Sequence, residues 1–330
     1  MTLRCPACGA RYEGEARFCT RDGSRLLPAD AATAAAVDPL LGQLLSGRYR
    51  VQRRVGEGGM AVVYRAEDEQ SGEALALKVL APVLTGDATA MARLRREAEM
   101  GRLLRHPNVC PILAMARGPG AQVYVVMPFL EGETLTERLV RRGPLPAAEV
   151  AGLVADVAEG LQAAHAMGIV HRDLKPENVM VCTRRDPGGA ERAVVMDFGL
   201  ATDRRSRLQS RRLTRTGMVM GTPEFMSPEQ LRDQPLDARS DVYALALVTC
   251  ELLTGRLPFP GSSQQEQMLA RLRVPPLPLR ELRAELQVPP AVELVMRRGL
   301  AVDREQRYPT APAFAQALVA ALGGRAAVRP

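Results

Sequence analysis

The stretch H-R-D-L-K-P-E-N at residues 171–178 brings three different polar groups close together in the sequence. Asp173 carries a carboxylate that can accept a proton from a hydroxyl group, and Lys175 carries an ammonium that can neutralise a transferring phosphoryl group. Asn178 offers a carboxamide oxygen, a suitable ligand for a hard cation such as magnesium. The stretch therefore predicts phosphate transfer to an alcohol, provided that the chain also supplies a nucleotide cradle and a second metal ligand.

The composition of the chain is that of an ordinary globular protein. Hydrophobic residues make up 46% of its 330 residues and charged residues 25%, which is typical of soluble domains. No uninterrupted apolar run reaches the roughly 18 residues that span a bilayer. Cys5 and Cys8 stand where a signal peptide would need an apolar core. The six cysteines do not suggest a disulfide framework, so we expect a reducing, cytoplasmic location.

The basic residues are almost all arginines. The net charge of +7 could favour nucleic acid as a partner, but the chain has no Trp, only six Tyr and six Phe, and widely spread arginines. A basic surface interleaved with aromatic residues is therefore not predicted. Of the 44 basic residues only Lys78 and Lys175 are lysines. We infer that these two positions need a compact ammonium group rather than a generic cation.

Residues 1–27 contain two short metal-binding patterns, C-x-x-C followed by C-x-x-D. Two facing turns of this kind can present four ligands to one tetrahedral zinc ion. The segment resembles a short zinc ribbon in which a carboxylate takes the fourth position; a metal-free pair of turns is the alternative. Residues 28–46, rich in Ala, Pro, Leu and Asp, are predicted to form a linker, with room for a short helix. The candidate zinc ligands are Cys5, Cys8, Cys19 and Asp22.

A glycine-rich segment at residues 56–61 lies between two predicted strands. Without side chains, backbone amides can approach phosphate groups closely. There is no G-x-x-x-x-G-K-[ST] motif, and no helix obviously follows the glycines, so neither a P-loop nor a dinucleotide-binding fold is favoured. Lys78 follows in an apolar strand and needs a partner. A glutamate of a helix predicted over residues 88–105, either Glu97 or Glu99, would supply it.

The sequence D-F-G at residues 197–199 follows Asn178 after two short predicted strands. With this motif and the earlier ones, residues 47–322 resemble the eukaryotic-type Ser/Thr protein kinase family, in particular its bacterial members. The motifs that carry the resemblance are G-x-G-x-x-A-x-V, A-L-K, H-R-D-L-K-P-E-N, D-F-G, G-T-P-E and S-P-E. The departures from the family pattern, Ala61, Pro128 and Ser227, leave every polar catalytic position in place.

The resemblance implies an α+β fold with two lobes. The expected lobes are a β-rich N-lobe with one helix over residues 47–130 and a helical C-lobe over residues 131–322, followed by a flexible tail at 323–330. In such a fold Asp241 is expected to cap the backbone of the catalytic loop. Arg307 is expected to pair with Glu229 inside the C-lobe.

The resemblance also implies MgATP as the phosphate donor and assigns residues to it. Asn178 and Asp197 would hold Mg2+, Met127 would be the gatekeeper, and the Leu130 backbone would bind adenine. The implied catalytic residues are Lys78, Glu97, Asp173, Lys175, Asn178 and Thr222. The implied nucleotide-binding residues are Val55, Gly56, Glu57, Gly58, Gly59, Ala61, Val63, Ala76, Lys78, Met127, Leu130, Met180 and Asp197.

The segment that follows D-F-G is strongly basic, with six arginines between Arg204 and Arg215. One interpretation is a solvated loop without a regulatory role. The other is a switch, in which phosphorylation of Thr214 and Thr216 lets the segment bind Arg172. Bacterial members with this spacing autophosphorylate, which implies a transient homodimer.

Substrate type and activity also follow from the resemblance. Lys175 and Thr222 are typical of kinases that act on Ser and Thr side chains of proteins. A pseudokinase scaffold is the main alternative, but such proteins usually lack the equivalents of Lys78, Asp173 or Asp197, and all three are present. Nucleic-acid or protein binding through the first 27 residues would be an added role.

Overall fold

The computed structural model of the chain describes most of residues 38–323 and three short strands before them. The described ranges are 2–4, 11–13, 27–28, 38–58, 61–81, 88–118, 122–183, 191–198 and 223–323. Several predicted site residues lie outside this description, so their assignments stay predictions. These are Cys5, Cys8, Cys19, Asp22, Gly59, Thr214, Thr216, Thr222 and the side chain of Glu97.

Three short strands form a small antiparallel sheet at the N-terminus. They are β1 (Thr2–Arg4), β2 (Arg11–Glu13) and β3 (Leu27–Pro28), in the order β2-β1-β3. The first C-x-x-C pattern lies in the connection between β1 and β2, which pair with Leu3 opposite Tyr12.

A six-stranded antiparallel sheet in the order β4-β5-β6-β7-β9-β8 builds the first lobe. Its side chains alternate between two apolar clusters, one on each face of the sheet. Helix α1 (Ala88–Leu103) follows β7 in the chain. The strands are β4 (Leu44–Leu45), β5 (Tyr49–Gly58), β6 (Ala61–Asp68), β7 (Ala74–Leu80), β8 (Ala114–Arg117) and β9 (Val123–Pro128).

Residues 38–46 differ from the linker that we expected there. They form turns and strand β4, which pairs with the start of β5. Leu40 and Leu45 are buried against the sheet because their side chains complete its apolar outer face. In the described part of the predicted linker there is no helix.

The second lobe is mainly helical and is centred on helix α5. The strands β10 (Gly132–Thr134), β11 (Val179–Thr183) and β12 (Glu191–Val195) form a small sheet at its upper edge. Helix α5 is buried on nearly every side, as expected from the apolar run at its centre, residues 242–248. The helices are α2 (Leu135–Arg142), α3 (Ala147–His165), α4 (Pro228–Leu231), α5 (Ala238–Thr254), α6 (Gln264–Arg271), α7 (Leu279–Leu282), α8 (Pro290–Gly299) and α9 (Ala311–Ala321).

The architecture is therefore the expected two-lobed α+β arrangement, with a sheet-rich first lobe and a helical second lobe. Gly132 lies where the chain passes from one lobe to the other, and a Cβ atom there would collide with the backbone of Val181. Only glycine permits this close approach of β10 to β11. Within the described ranges, no helix is both long and apolar enough to cross a membrane.

A buried ion pair joins distant parts of the second lobe, as predicted. Arg307 donates to both carboxylate oxygens of Glu229, at 2.7 and 2.8 Å, and the Ser240 hydroxyl donates to the same carboxylate at 2.6 Å. Burial opposes ionisation of Glu229, but these hydrogen bonds and the charge of Arg307 outweigh it and lower the pKa of Glu229. The pair links α4 to the chain before α9.

We expect Arg307→Ala to lower the free energy of unfolding by about 3–5 kcal/mol, because the Glu229 carboxylate would stay buried without its main partner. Chemical denaturation followed by circular dichroism measures this change. Arg304→Ala is the matched control, since Arg304 is partly exposed and lies 3.4 Å from Asp237; it should cost less than about 1 kcal/mol. An Arg307→Ala protein as stable as the wild type would contradict the structural role of the pair.

Candidate active site

The catalytic loop is held by one buried carboxylate from helix α5. Asp241 accepts hydrogen bonds from the backbone N–H groups of His171, at 2.8 Å, and Arg172, at 3.0 Å. His165 donates to it through Nε2 at 2.7 Å. Burial opposes ionisation of Asp241, but the hydrogen bond and charge of His165 and the contacts with His171 lower its pKa overall. The predicted cap of the loop by Asp241 is thus confirmed.

Three polar groups of the quoted stretch meet in space. The Lys175 ammonium lies 3.7 Å from Oδ2 of Asp173, and both side chains are largely but not fully buried. Asn178 donates through Nδ2 to the Asp173 carbonyl at 2.7 Å and to Oδ2 at 3.3 Å. The short 3-10 turn Pro176–Asn178, which begins with a proline that presets φ, folds the amide back onto Asp173.

The second lysine also contacts a carboxylate. Nζ of Lys78, on β7, lies 2.6 Å from Oδ2 of Asp197. This pair joins the two lobes at the D-F-G segment. Glu99, the alternative partner of Lys78, is exposed and lines a groove with Met115 and Arg117. No ion pair between Glu99 and Lys78 is present in the described residues.

The D-F-G segment and the catalytic loop are fastened to each other. His171 is fully buried, contacts the Met196 carbonyl through Nε2 at 2.8 Å, and packs edge-on against the Phe198 ring with centroids 4.7 Å apart. The Met196 N–H donates to the carbonyl of Asn178 at 2.8 Å. These contacts place Asp197 and Asn178 on adjacent strand ends, where their oxygens could share one cation.

An apolar cluster on the inner face of the first lobe gathers most of the predicted adenine contacts. Ala76 lies directly opposite Met127 in the pairing of β7 with β9. The cluster members that we predicted to contact nucleotide are Ala61, Val63, Ala76, Met127, Leu130 and Met180. The structure thus brings these residues together from both lobes. Val55 is different, because it is 45% exposed and lies at an irregularity in the β5–β6 pairing.

The glycines Gly56 and Gly58 lie at the end of β5, opposite Val63 and Ala61 of β6. Glu57 is exposed between them. A Cβ atom at Gly56 would meet nothing within 4 Å. The open space there is compatible with the approach of a phosphate chain to the backbone.

Two residues near the loop were missed by the sequence analysis. Gln230 donates through Nε2 to the Arg172 carbonyl at 2.6 Å. It is also the last residue of the capping box S-P-E-Q that begins α4 at Ser227, a pattern that is legible in the sequence. Glu251 could not have been found in this way, because its environment comes from residues distant in the chain.

Glu251 lies in a pocket beside the catalytic loop with two other glutamates. The pocket is lined by Pro176, Glu177, Glu224 and Phe225 among others. Burial, and then the charges of Glu177 and Glu224, raise the pKa of Glu251 to about 7. Its Oε2 atom is buried without a hydrogen-bond partner among the described residues. The pocket therefore brings three glutamates close together, and burial and the other two oppose the ionisation of Glu251.

Comparisons with known proteins agree with this geometry. A family model for the protein kinase domain matches residues 49–319. Serine/threonine-protein kinase Pkn1 of Myxococcus xanthus is 39% identical over 325 residues, which cover 96% of this chain and 45% of Pkn1. Serine/threonine-protein kinase PknA of Mycobacterium tuberculosis is 34% identical over 298 residues, which cover 89% of this chain and 66% of PknA. The chain spans about half to two thirds of the length of these relatives.

The fold also matches a solved structure. The kinase domain of Mycobacterium tuberculosis PknI superposes with a TM-score of 0.66 and 27% identity, over 86% of this chain and 98% of that one.

The Pkn1 match covers 96% of this chain. The unmatched remainder is therefore too short to contain all of residues 1–27, and the similarity extends into the N-terminal unit.

We expect Glu251→Gln to stabilise the protein at about pH 8 and to have little effect at about pH 5. The folded state holds a proton on Glu251 up to about pH 7, whereas the unfolded chain releases it at lower pH. Glu251 therefore costs stability as pH rises through this interval, by up to about 3 kcal/mol. Melting temperatures across this pH range measure the effect. Glu159→Gln, exposed on α3, is the control; equal pH profiles for both variants would contradict the assignment.

Proposed function

The chain belongs to the protein kinase family, and from that premise we propose that it transfers the γ-phosphoryl group of ATP to serine and threonine hydroxyls of proteins. The observation that carries the proposal is the convergence of Asp173, Lys175 and Asn178 in one loop beside the Lys78–Asp197 pair. Each of these groups has a chemical task in phosphoryl transfer.

In this proposal, Asp173 orients the acceptor hydroxyl and takes its proton. Asn178 holds the Asp173 carboxylate by a hydrogen bond from Nδ2, so the base is fixed in one orientation before the substrate binds. Lys175, whose ammonium lies 3.7 Å from Asp173, stabilises negative charge on the phosphoryl group in transit. Thr222, which lies outside the described residues, would bridge Asp173 and Lys175.

The donor side of the proposed site is built around Lys78. Its ammonium would hold the α- and β-phosphates, and Glu97 would orient it from α1. Because Asn178 uses its Nδ2 to hold Asp173, its carboxamide oxygen remains for a cation beside the Asp197 carboxylate. This pair of oxygen donors fits Mg2+, which would neutralise charge on the phosphates when bound. The adenine would pack between Ala76 and Met180, with the Leu130 backbone at its edge.

We expect Asp173→Asn to lower the rate of phosphate transfer by roughly 10²- to 10⁴-fold, the usual contribution of a general base. The measurement is transfer of radiolabelled phosphate from ATP to a generic basic protein. Asp233→Asn is the matched control, because Asp233 is exposed and has φ of 53°, a conformation that asparagine also tolerates. Equal label with wild type and Asp173→Asn would favour a scaffold without catalysis.

We further propose that phosphorylation of Thr214 and Thr216 activates the enzyme. Both threonines lie outside the described residues, but their proposed partner does not. The Nε atom of Arg172 is buried without a hydrogen-bond partner among the described residues. An arginine placed in this way can bind a phosphate group. Autophosphorylation between two copies in a transient homodimer would supply it.

Mass spectrometry of active protein should find phosphate on Thr214 and Thr216. Replacing both with alanine should lower activity to the level of phosphatase-treated wild type, since the same charge is missing in both cases. Replacing Ser206 and Ser210, which lie in the same basic segment, is the control and should leave activity unchanged. Full activity without phosphate on either threonine would overturn the switch.

For the N-terminal unit we propose a zinc site formed by Cys5, Cys8, Cys19 and Asp22. The spacing of these residues and the pairing of β1 with β2 around the first C-x-x-C pattern support it. The buried free thiols Cys110, Cys182 and Cys250 agree with a reducing, cytoplasmic compartment, where such a site would persist.

Metal analysis of the purified chain should find about one zinc ion per molecule. Cys5→Ser should lose most of it, because one thiolate ligand is removed. Cys250→Ser, a change of a buried cysteine in the second lobe, should keep it. A metal-free wild type whose N-terminal unit is ordered would instead favour the metal-free pair of turns.

A further inference from the structure

Residues 38–46, which we call the N-terminal strap, cross the outer face of the first-lobe sheet. The family model begins after them, at residue 49. Leu40 is 5% exposed and Leu45 is 1% exposed, and both belong to the apolar cluster of this face. The strap is therefore packed as part of the lobe.

The strap makes hydrogen bonds to both strands of the glycine-rich hairpin, β5 and β6. The Gly42 N–H donates to the Val51 carbonyl, and the Val51 N–H donates to the Gln43 carbonyl, both at 2.9 Å. On the other strand, the Tyr64 hydroxyl donates to Oδ2 of Asp38 at 2.8 Å. The hairpin is thus attached to the strap on both sides of its base.

Asp38 is well placed to hold this attachment. Its Oδ1 accepts the Leu40 N–H at 3.1 Å, which closes the first turn of the strap, while Oδ2 accepts the Tyr64 hydroxyl. Burial and the carboxylate of Asp38 raise the pKa of Tyr64 to about 12. The hydroxyl therefore remains a donor at all physiological pH values.

The outer half of β5 has little support besides its pairing with β6, which itself pairs with β7 as far as Ala61. In β5, Tyr49 and Val51 are buried, whereas every residue from 52 to 58 is exposed. In β6, Tyr64 is the buried residue nearest to the tip. The outer half of β5 is therefore held mainly through β6, and the angle of the hairpin depends on the strap at its base together with the pairing of β6 with β7.

We propose that the strap is a positioning element for nucleotide binding, and that Asp38 and Tyr64 are its positioning residues. Their hydrogen bond sets the angle at which β5 and β6 reach over the cleft. The inference rests on the proposed function, in which the hairpin covers the phosphates of ATP. Neither residue touches the nucleotide, because Tyr64 lies on the face of the sheet opposite to Val63 and Ala76.

The test uses full-length Tyr64→Phe, which removes only the hydroxyl. We expect the KM for ATP to rise by about three- to tenfold, the effect of one hydrogen bond, with kcat changed less than about twofold. Hydrogen exchange of the backbone amides in residues 51–58 and 61–64 should become faster. Asp38→Ala should raise the KM for ATP at least as much, because it also removes the hydrogen bond to the Leu40 N–H, and the double variant should be no worse than Asp38→Ala alone.

Tyr124→Phe is the matched control. The Tyr124 hydroxyl contacts the Ser46 hydroxyl at 2.5 Å, so this variant also loses a strap contact, but one made to β9 instead of the hairpin. It should lower the melting temperature without changing the KM for ATP. If both variants raise the KM equally, or if Tyr64→Phe leaves it unchanged, the positioning role is wrong.

The hydrogen-exchange measurement distinguishes failure of the proposed function from failure of the positioning role of the strap. Faster exchange in Tyr64→Phe together with a wild type that binds no ATP would contradict the proposed function and leave the attachment of the hairpin in place. A wild type that binds ATP and a Tyr64→Phe variant with unchanged exchange would contradict the inference alone.

Discussion

The geometry of the candidate site depends on the buried carboxylate of Asp241. A carboxylate without water is costly unless several donors compensate it, and here His165 and the backbone amides of His171 and Arg172 do so. These hydrogen bonds to Asp241 stabilise a loop conformation that is otherwise unfavourable. The backbone of Arg172 has φ of 66°, in the left-handed region that most residues avoid. Helix α5, which is buried on nearly every side, thus fixes the position of the loop that carries Asp173.

From this loop the constraint extends to the D-F-G segment. His171 is held at its backbone by Asp241 and through its ring by Met196 and Phe198. Asp197, between these two residues, also has a left-handed backbone with φ of 64°. Two strained residues in one small region are typical of functional sites, where packing over-determines the local conformation. The loop and the D-F-G segment therefore behave as one unit, to which the first lobe connects through Lys78.

The sequence predicted the parts of the site that short motifs encode. Asp173, Lys175 and Asn178 are close in the chain, so a local pattern was enough to bring them together. Contacts between residues that are distant in the chain could be predicted only from the resemblance to a family, as for Arg307 and Glu229. The bond from Asp38 to Tyr64 spans 26 residues and the one from Gln230 to Arg172 spans 58, and no periodicity marks either. Composition predicted a linker over residues 28–46, whereas residues 38–46 contain strand β4, and Leu40 and Leu45 are buried against the outer face of the sheet.

The only two lysines of the chain both lie in the candidate site. Arginine carries the other basic positions, yet each lysine lies beside a carboxylate of the candidate site, Lys78 at 2.6 Å from Asp197 and Lys175 at 3.7 Å from Asp173. A planar guanidinium would form a two-pronged pair with such a carboxylate and hold it firmly. A compact ammonium makes a point contact that can turn to another anion. Such a contact would let Lys78 exchange Asp197 for the phosphates of a bound nucleotide, while a bound cation would pair with the Asp197 carboxylate.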